Sequence, residues 1–465
     1  MSGPVAFLGR IDAAMASDVP AKVAVSARRM SAGRRESAEL HPQFDALRDR
    51  ARSIRLSTLA DLATHLRRFS EAAEARGTQV HWAADAAEAN RIVTGLCSGA
   101  STVVKGKSMV TEEIELNAAL EAVGIEVVET DLGEFIAQLA GERPSHILVP
   151  MLHKSRQDVG RLFERALGVG YTEEPSELNA IARRHLRSRF LRADVGITGA
   201  NMVVAENGTV ALVENEGNGR FTTTAPRVHI AVMGMERVVP TMEDLGVVLD
   251  VLARSAMSQR LSVYTNLVHG PAWPGDPDGP EELHVVVVDN GRSSMLAGDL
   301  AEILACIRCG ACLNVCPVYQ EIGGHAYDSV YQGPVGSIVS PGLWGLDPFS
   351  ELSHASTLCG ACREACPVRI DIPHLLAEVR AQGVAAGLAP SWLRSGIGRY
   401  EQVAGDAARW RRYEGLARFG STFLPRDGEW LTRLPGAGKG WTDHRDLPRP
   451  AKRPFRDRWG DDDGA

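Results

Sequence analysis

No stretch of the chain approaches the roughly 18–20 uninterrupted apolar residues that a membrane-spanning helix needs, so no transmembrane segment is expected. Excess basic charge is missing too. Lys and Arg number 51 against 58 Asp and Glu, a net charge of −7, which argues against a general nucleic-acid binder. Cysteine is scarce, eight in 465 residues, too few for a disulfide-stapled scaffold. The first 35 residues lack the basic, apolar, small order of a secretory signal. Their Ala, Ser and Arg content suggests a transit peptide, but Asp12 and Asp18 favour a partly ordered N-terminal arm. There is no G-x-G-x-x-G after a strand, no G-x-S-x-G and no H-E-x-x-H. The glycine-rich run from Glu214 to Gly219 reads as a loop. What is present is ordinary globular composition, 44% hydrophobic and 23% charged, long enough for two to four domains with a sizeable core. The expected location is cytoplasmic, free or at the inner face of the membrane.

Leu56, Leu59, Leu62, Leu66, Phe69 and Ala73 recur at helical spacing, and Gly77 ends that pattern. Alternation follows: strands at 79–82, 101–104, 125–129 and 146–150, helices at 84–96, 111–123, 132–139 and 155–167. Strand–helix–strand order with short links implies a largely parallel sheet. Further strands are expected at 195–197, 202–205, 209–214, 228–232 and 283–288. The reading is an N-terminal arm (1–54), an α/β domain (55–293), a helical cysteine-bearing domain (294–390) and an Arg- and Trp-rich C-terminal region (391–465). That last region carries Trp392, Trp410, Trp430, Trp441 and Trp459, which either cover their own domain or meet another subunit. Residues 443–465, ending in Asp461-Asp462-Asp463, read as mobile or docked on a partner.

Seven cysteines lie between Cys306 and Cys366. Cys306, Cys309, Cys312 and Cys316, with Pro317, form C-x2-C-x2-C-x3-C-P. Cys359, Cys362 and Cys366, with Pro367, repeat C-x2-C-x3-C-P. The first is bacterial ferredoxin spacing, in which the fourth cysteine ligates the other cluster. The arithmetic assigns Cys306, Cys309, Cys312 and Cys366 to one [4Fe–4S] cluster, and Cys316, Cys359 and Cys362 to a second. The second holds either [3Fe–4S], or [4Fe–4S] with a non-cysteine or labile fourth ligand. His354, Asp371, His374 and Cys97 are candidates, although Cys97 reads more simply as a buried thiol. Zinc would want paired C-x2-C motifs. The 42 residues between Cys316 and Cys359 favour helices around the clusters over a compact β-ferredoxin.

In the α/β part, Lys105, Lys107 and Ser108 stand where a strand meets a helix and suggest an anion site, or lysines on a solvated rim. The segments 107–117, 129–139, 144–153, 196–220 and 278–293 resemble the LUD domain of lactate utilization proteins. Joined to the cysteine block, the chain resembles the lactate utilization protein B family from about residue 30 to 440. The resemblance implies a sugar-isomerase/CoA-transferase-like α/β fold followed by an α-helical ferredoxin-type domain. It implies the same division of the seven ligands and a role as electron-transfer subunit in oxidation of L-lactate to pyruvate. The implied partners are a cysteine-rich subunit and a second LUD subunit. Two other readings stand beside it. The LUD domain itself oxidises a small hydroxy acid, with Lys105, Lys107 and Glu113 lining the pocket, or the protein is an iron–sulfur sensor or scaffold.

Overall fold

Val285 to Val288 are buried without a break, and such a run fits a strand covered on both faces by helices. In the computed structural model, which describes residues 6–443 and 445–459, this run lies inside a six-stranded sheet. The strands are β1 (Gln79–Ala83), β2 (Thr102–Lys105), β3 (Glu126–Glu129), β4 (Val195–Gly199), β5 (Met202–Val204), β6 (Thr209–Glu214), β7 (Val228–Gly234), β8 (Val238–Val239), β9 (Tyr264–Val268) and β10 (Glu282–Val288). The large sheet has the order β1-β10-β7-β4-β2-β3, with every pair parallel. A smaller mixed sheet, β8-β5-β6-β9, stands beside it.

Two compact units divide between Ala386 and Gly387. In the first, the N-terminal region differs from the expected arm. It forms α1 (Phe7–Met15), α2 (Val19–Glu39) and α3 (Phe44–Ala60), followed by α4 (Leu62–Glu74). One hydrophobic cluster runs from Val23 and Phe69 through Val203 and Ile303 to Tyr319, Ile338 and Leu376. The sheets, the N-terminal helices and the cysteine segment therefore share a core. The helix expected over 111–123 breaks into Met109–Glu113 and Leu116–Ala122, because Glu115 between them is left-handed (φ 54°).

The strand expected at 146–150 is absent, and a turn stands there. Ser145 N–H donates to the Pro150 carbonyl (2.7 Å), while the His146 ring accepts from the Leu148 and Val149 amides (3.0 and 3.1 Å). Those amides are no longer available to a sheet ladder. Helix Pro175–Phe190, which buries Leu178, Ile181, Ala182 and Leu186, and strand β9 stand beyond the expected elements.

The second unit contains helices Ser391–Ala404 and Ala407–Ser421 and three short paired strands, Arg426–Asp427, Trp430–Leu431 and Leu447–Pro448. Trp410 stands edge-on to Tyr400, whereas Trp430, Trp441 and Trp459 are exposed. Part of the tail expected to be mobile is thus paired, Trp430 opposite Pro448. The Trp392 side chain and Asp461-Asp462-Asp463 lie outside the described residues. Among the described residues, no helix is long and apolar enough to cross a membrane.

Candidate metal centre and the cavity beside it

The first cysteine loop turns twice through left-handed backbone, at Arg308 (φ 59°) and Gly310 (φ 70°). The first turn aims the Arg308 amide at the Cys306 sulfur (3.4 Å). Cys366, from the second motif, sits with this loop. It receives the Ile370 amide on its sulfur (3.4 Å), and Cys306, Cys309, Cys312 and Cys366 line one small hollow with Ile147, Val335 and Ile370. Burial raises the Cys309 and Cys312 thiols, and the neighbouring sulfurs raise them further. Burial, then Cys306, pushes Cys366 up to about 11.

The other three cysteines form a second group. Burial, then Cys316, pushes Cys362 up to about 12. Cys316 is likewise raised, by burial first and by Cys359 last. Cys359 is exposed, and its thiol is lowered by the Ala361 amide and the Thr357 side chain. All seven are free of disulfides. Sulfurs converging on one enclosed hollow, with amides pointing at them, fit thiolate-ligated iron. Metal binding would displace to solvent the thiol protons that burial otherwise retains.

The candidates for a further ligand fare differently. Asp371 is occupied as a helix cap, accepting from the His374 amide (3.3 Å) and pairing with Arg363 (3.0 Å). His354 and His374 are exposed. Cys97 packs with Val93, Val103 and Val286 in a separate hydrophobic cluster, where burial pushes its thiol up to about 12. It is not brought to the other cysteines.

The N-terminal helices hold the cysteine segment from outside. Arg48 and Arg52 of α3 are one helical turn apart. Arg48 donates to the carbonyls of Cys366 (2.7 Å) and Glu364 (2.6 Å), and Arg52 to that of Arg369 (2.7 Å). Arg55, three residues further along the same face, donates to the carbonyls of Leu304 (3.2 Å) and Val238 (2.6 Å).

A cavity of about 590 Å³ opens at the C-terminal ends of β2, β3 and β4, the edge where α/β sheets place ligands. Lys107, Ser108, Asp131, Glu216, Arg308 and Tyr331 line it. The Lys107 ammonium is buried without a hydrogen-bond partner and lies 3.6 Å from the Glu134 carboxylate. The Arg308 guanidinium lies over the Tyr331 ring (4.3 Å), with Nε and Nη1 unpartnered. Ser108 caps the helix Met109–Glu113.

Two residues expected at this site are occupied elsewhere. Lys105 is wholly buried and pairs with Glu129 (2.8 Å) and Glu112 (3.0 Å). Burial pulls its pKa down, but these carboxylates outweigh that and raise it. Glu113 accepts both arms of Arg292 (2.8 and 2.7 Å), the Tyr331 hydroxyl (2.6 Å) and the Asn290 amide (2.8 Å). Arg292 also donates to Glu236 (2.7 Å). This buried ionic hub ties the sheet to the cysteine segment. Gly234, ending β7, leaves it room, since a Cβ there would collide with Glu236 and Arg292. The hub escaped sequence reasoning because its members are distant in the chain. The only local hint is the segment Asn290-Gly291-Arg292 directly after a buried strand.

The family model for the LUD domain matches residues 66–288, and that for a 4Fe-4S dicluster domain matches residues 302–370. The chain is 44% identical over 439 residues to lactate utilization protein B of Geobacillus sp. (strain WCH70), covering 94% of this chain and 92% of the relative. It is 43% identical over 437 residues to the protein of that name from Bacillus subtilis (strain 168), covering 93% and 91%. A solved DUF162 family protein from Deinococcus radiodurans aligns at 17% identity and a TM-score of 0.29, covering 49% of this chain and 98% of that one; a likeness this weak carries no argument. A LUD domain followed by a 4Fe–4S ferredoxin-type domain defines an iron–sulfur protein. The chain belongs to the lactate utilization protein B family.

Proposed function

We propose that the chain is the electron-transfer subunit of a complex that oxidises L-lactate to pyruvate, acting with a cysteine-rich subunit and a second LUD subunit. The observation that carries this is the gathering of four of the seven cysteines around one hollow. In this reading Cys306, Cys309, Cys312 and Cys366 hold a [4Fe–4S] cluster, and Cys316, Cys359 and Cys362 hold a second cluster. When bound, such clusters take up and give back single electrons. The chain supplies amides to the sulfurs, which tune their potential. It also supplies two different faces. Ile307 and Arg308 border the cavity, whereas Leu358 and Cys359 are exposed and accessible to a redox partner. A sugar-isomerase/CoA-transferase-like origin of the α/β half belongs to the same reading, supported by its parallel sheet.

The test is reconstitution of the three-subunit complex, with the visible bleaching of the clusters followed after lactate is added. Rapid bleaching is expected. Clusters that form but stay oxidised with lactate, while a chemical reductant bleaches them, would overturn the proposal. A second reading, in which the LUD domain itself takes a small hydroxy acid, is favoured by the Lys107 ammonium and the Arg308 Nε and Nη1, which line the cavity without hydrogen-bond partners. Their charge suits a carboxylate. Lys107→Ala should then abolish turnover with the cluster spectra intact, and unchanged turnover would remove the idea.

A further inference from the structure

The two cysteine motifs are one backbone device used twice. Cys309 and Cys312 are three residues apart, as are Cys359 and Cys362, and Cys316 and Cys366 each follow four residues later. Each loop has a left-handed residue before its C-x2-C pair, Arg308 (φ 59°) and Leu358 (φ 54°). Each has a left-handed glycine inside it, Gly310 (φ 70°) and Gly360 (φ 87°). A short helix starts directly afterwards in both, at Ala311 and at Ala361. In this register the position of Cys306 is filled by Ser356.

The match extends to the side chain. The amide two residues beyond Cys306 donates to its sulfur (Arg308 N to Sγ, 3.4 Å). The amide two residues beyond Ser356 donates to its hydroxyl oxygen (Leu358 N to Oγ, 3.1 Å). The chain entering the loop is anchored as well. Arg380 donates to the carbonyls of Ser353 (2.7 Å) and Ser356 (3.0 Å). The first group is therefore three positions of loop one plus Cys366 from the second motif. The reciprocal group is Ser356, Cys359 and Cys362 plus Cys316 from the first.

We infer that Ser356 is the fourth protein ligand of the second cluster and that its oxygen takes the iron lacking a cysteine. The inference rests on the reading of the seven cysteines as cluster ligands. On binding, an iron–oxygen bond forms, the hydroxyl proton passes to solvent, and no electron moves. Oxygen is a harder ligand than thiolate and holds such an iron less firmly. Cys359 beside it is exposed and Ser356 is half-buried, so solvent and oxidants reach this corner. The second site is a four-iron cluster with one labile iron, and its three-iron form is the product of losing that iron.

The full chain is reconstituted anaerobically with 57Fe, treated with mild ferricyanide, and followed by iron analysis, Mössbauer and EPR spectroscopy. The wild type should release one iron per chain and develop a three-iron EPR signal. Ser356→Cys should slow that release by about tenfold or more, as a soft ligand replaces a hard one, with little three-iron signal. Ser356→Ala should carry the three-iron form already before oxidation. Unchanged first-cluster spectra in both variants report an intact fold. Wild-type release kinetics in Ser356→Cys, or in Ser356→Ala should Ser356→Cys fail to accumulate, would overturn the inference. A wild-type chain that takes up no iron would instead remove the ligand reading beneath it.

Discussion

The two cysteine loops share their turns, their glycines and their following helices, yet their surroundings are opposite. Cys309 and Cys312 are buried, and a Cβ on Gly310 would meet the His146 ring at 3.1 Å. In the second loop Leu358 and Cys359 are exposed, and a Cβ on Gly360 would meet nothing within 4 Å. The difference does not come from the motifs. It comes from what the rest of the chain lays against them: the 145–150 turn and the ionic hub behind the first loop, and solvent beside the second. Local sequence sets the shape of a ligand loop; distant sequence sets its access.

The largest expected effect falls on the hub that backs the first loop. Arg292→Ala leaves Glu113 and Glu236 buried without their main counter-charge, a loss of about 3–5 kcal/mol. Urea denaturation measures it, and a change under about 1 kcal/mol would show that the seam does not depend on this hub. Next is Arg48→Ala, which removes a charged donor from the carbonyls of Glu364 and Cys366. A cost of about 1.5–3 kcal/mol is expected. Because Cys366 belongs to the first group, a chelator should strip that group's iron faster from Arg48→Ala than from the wild type, with the second group's loss unchanged. First-group loss at the wild-type rate would show that Arg48 does not protect the buried loop.

A third test asks whether only the first loop borders a ligand site. Lys107→Ala should weaken binding of a small carboxylate by about tenfold, or about 1.4 kcal/mol, as read by calorimetry with the iron content unchanged. The pH dependence of the wild type has a definite sign. Burial, and then Asp131, raises the Glu216 carboxyl to about 7. Below that pH it is neutral and no longer repels an anion, so affinity should rise as pH falls from 8 to 6. The same carboxyl favours the folded state below its ordinary value of 4.5, and that contribution is lost as pH rises through about 7. Affinity that is flat or falls over this range would remove Glu216 from the site. The smallest effect is expected for Asp371→Ala. Loss of the cap costs about 1 kcal/mol in thermal unfolding, and the iron count stays the same; a lost iron would make Asp371 a ligand.

What was legible in the sequence follows physical range. The valine-rich strands and the cysteine spacing are local patterns, and the parallel sheet and the paired turns appear where those patterns point. Alternation failed at 146–150 because the His146 ring captures the amides a strand would need. The expected arm rests on the Ala-, Ser- and Arg-rich first 35 residues, and the arginines that follow on α3 carry no signal, since charge on a helix face ordinarily means solvent. Here it means carbonyls more than 200 residues away, reached by Arg48 and Arg52 of that face. Lys105 and Glu113 looked like site residues by position, but their carboxylate and arginine partners could be found only in three dimensions.

The arginine face of α3 also sets an order of events during synthesis. Arg48 leaves the ribosome 318 residues ahead of its acceptor Cys366. At about 5–20 residues per second that is a wait of roughly 16–64 s. During translation of the whole α/β half, α3 has no cysteine segment to hold, and the four thiols of the first group cannot meet until Cys366 has emerged. On the proposed ligand assignment, iron delivery to that group would follow synthesis of the α/β half.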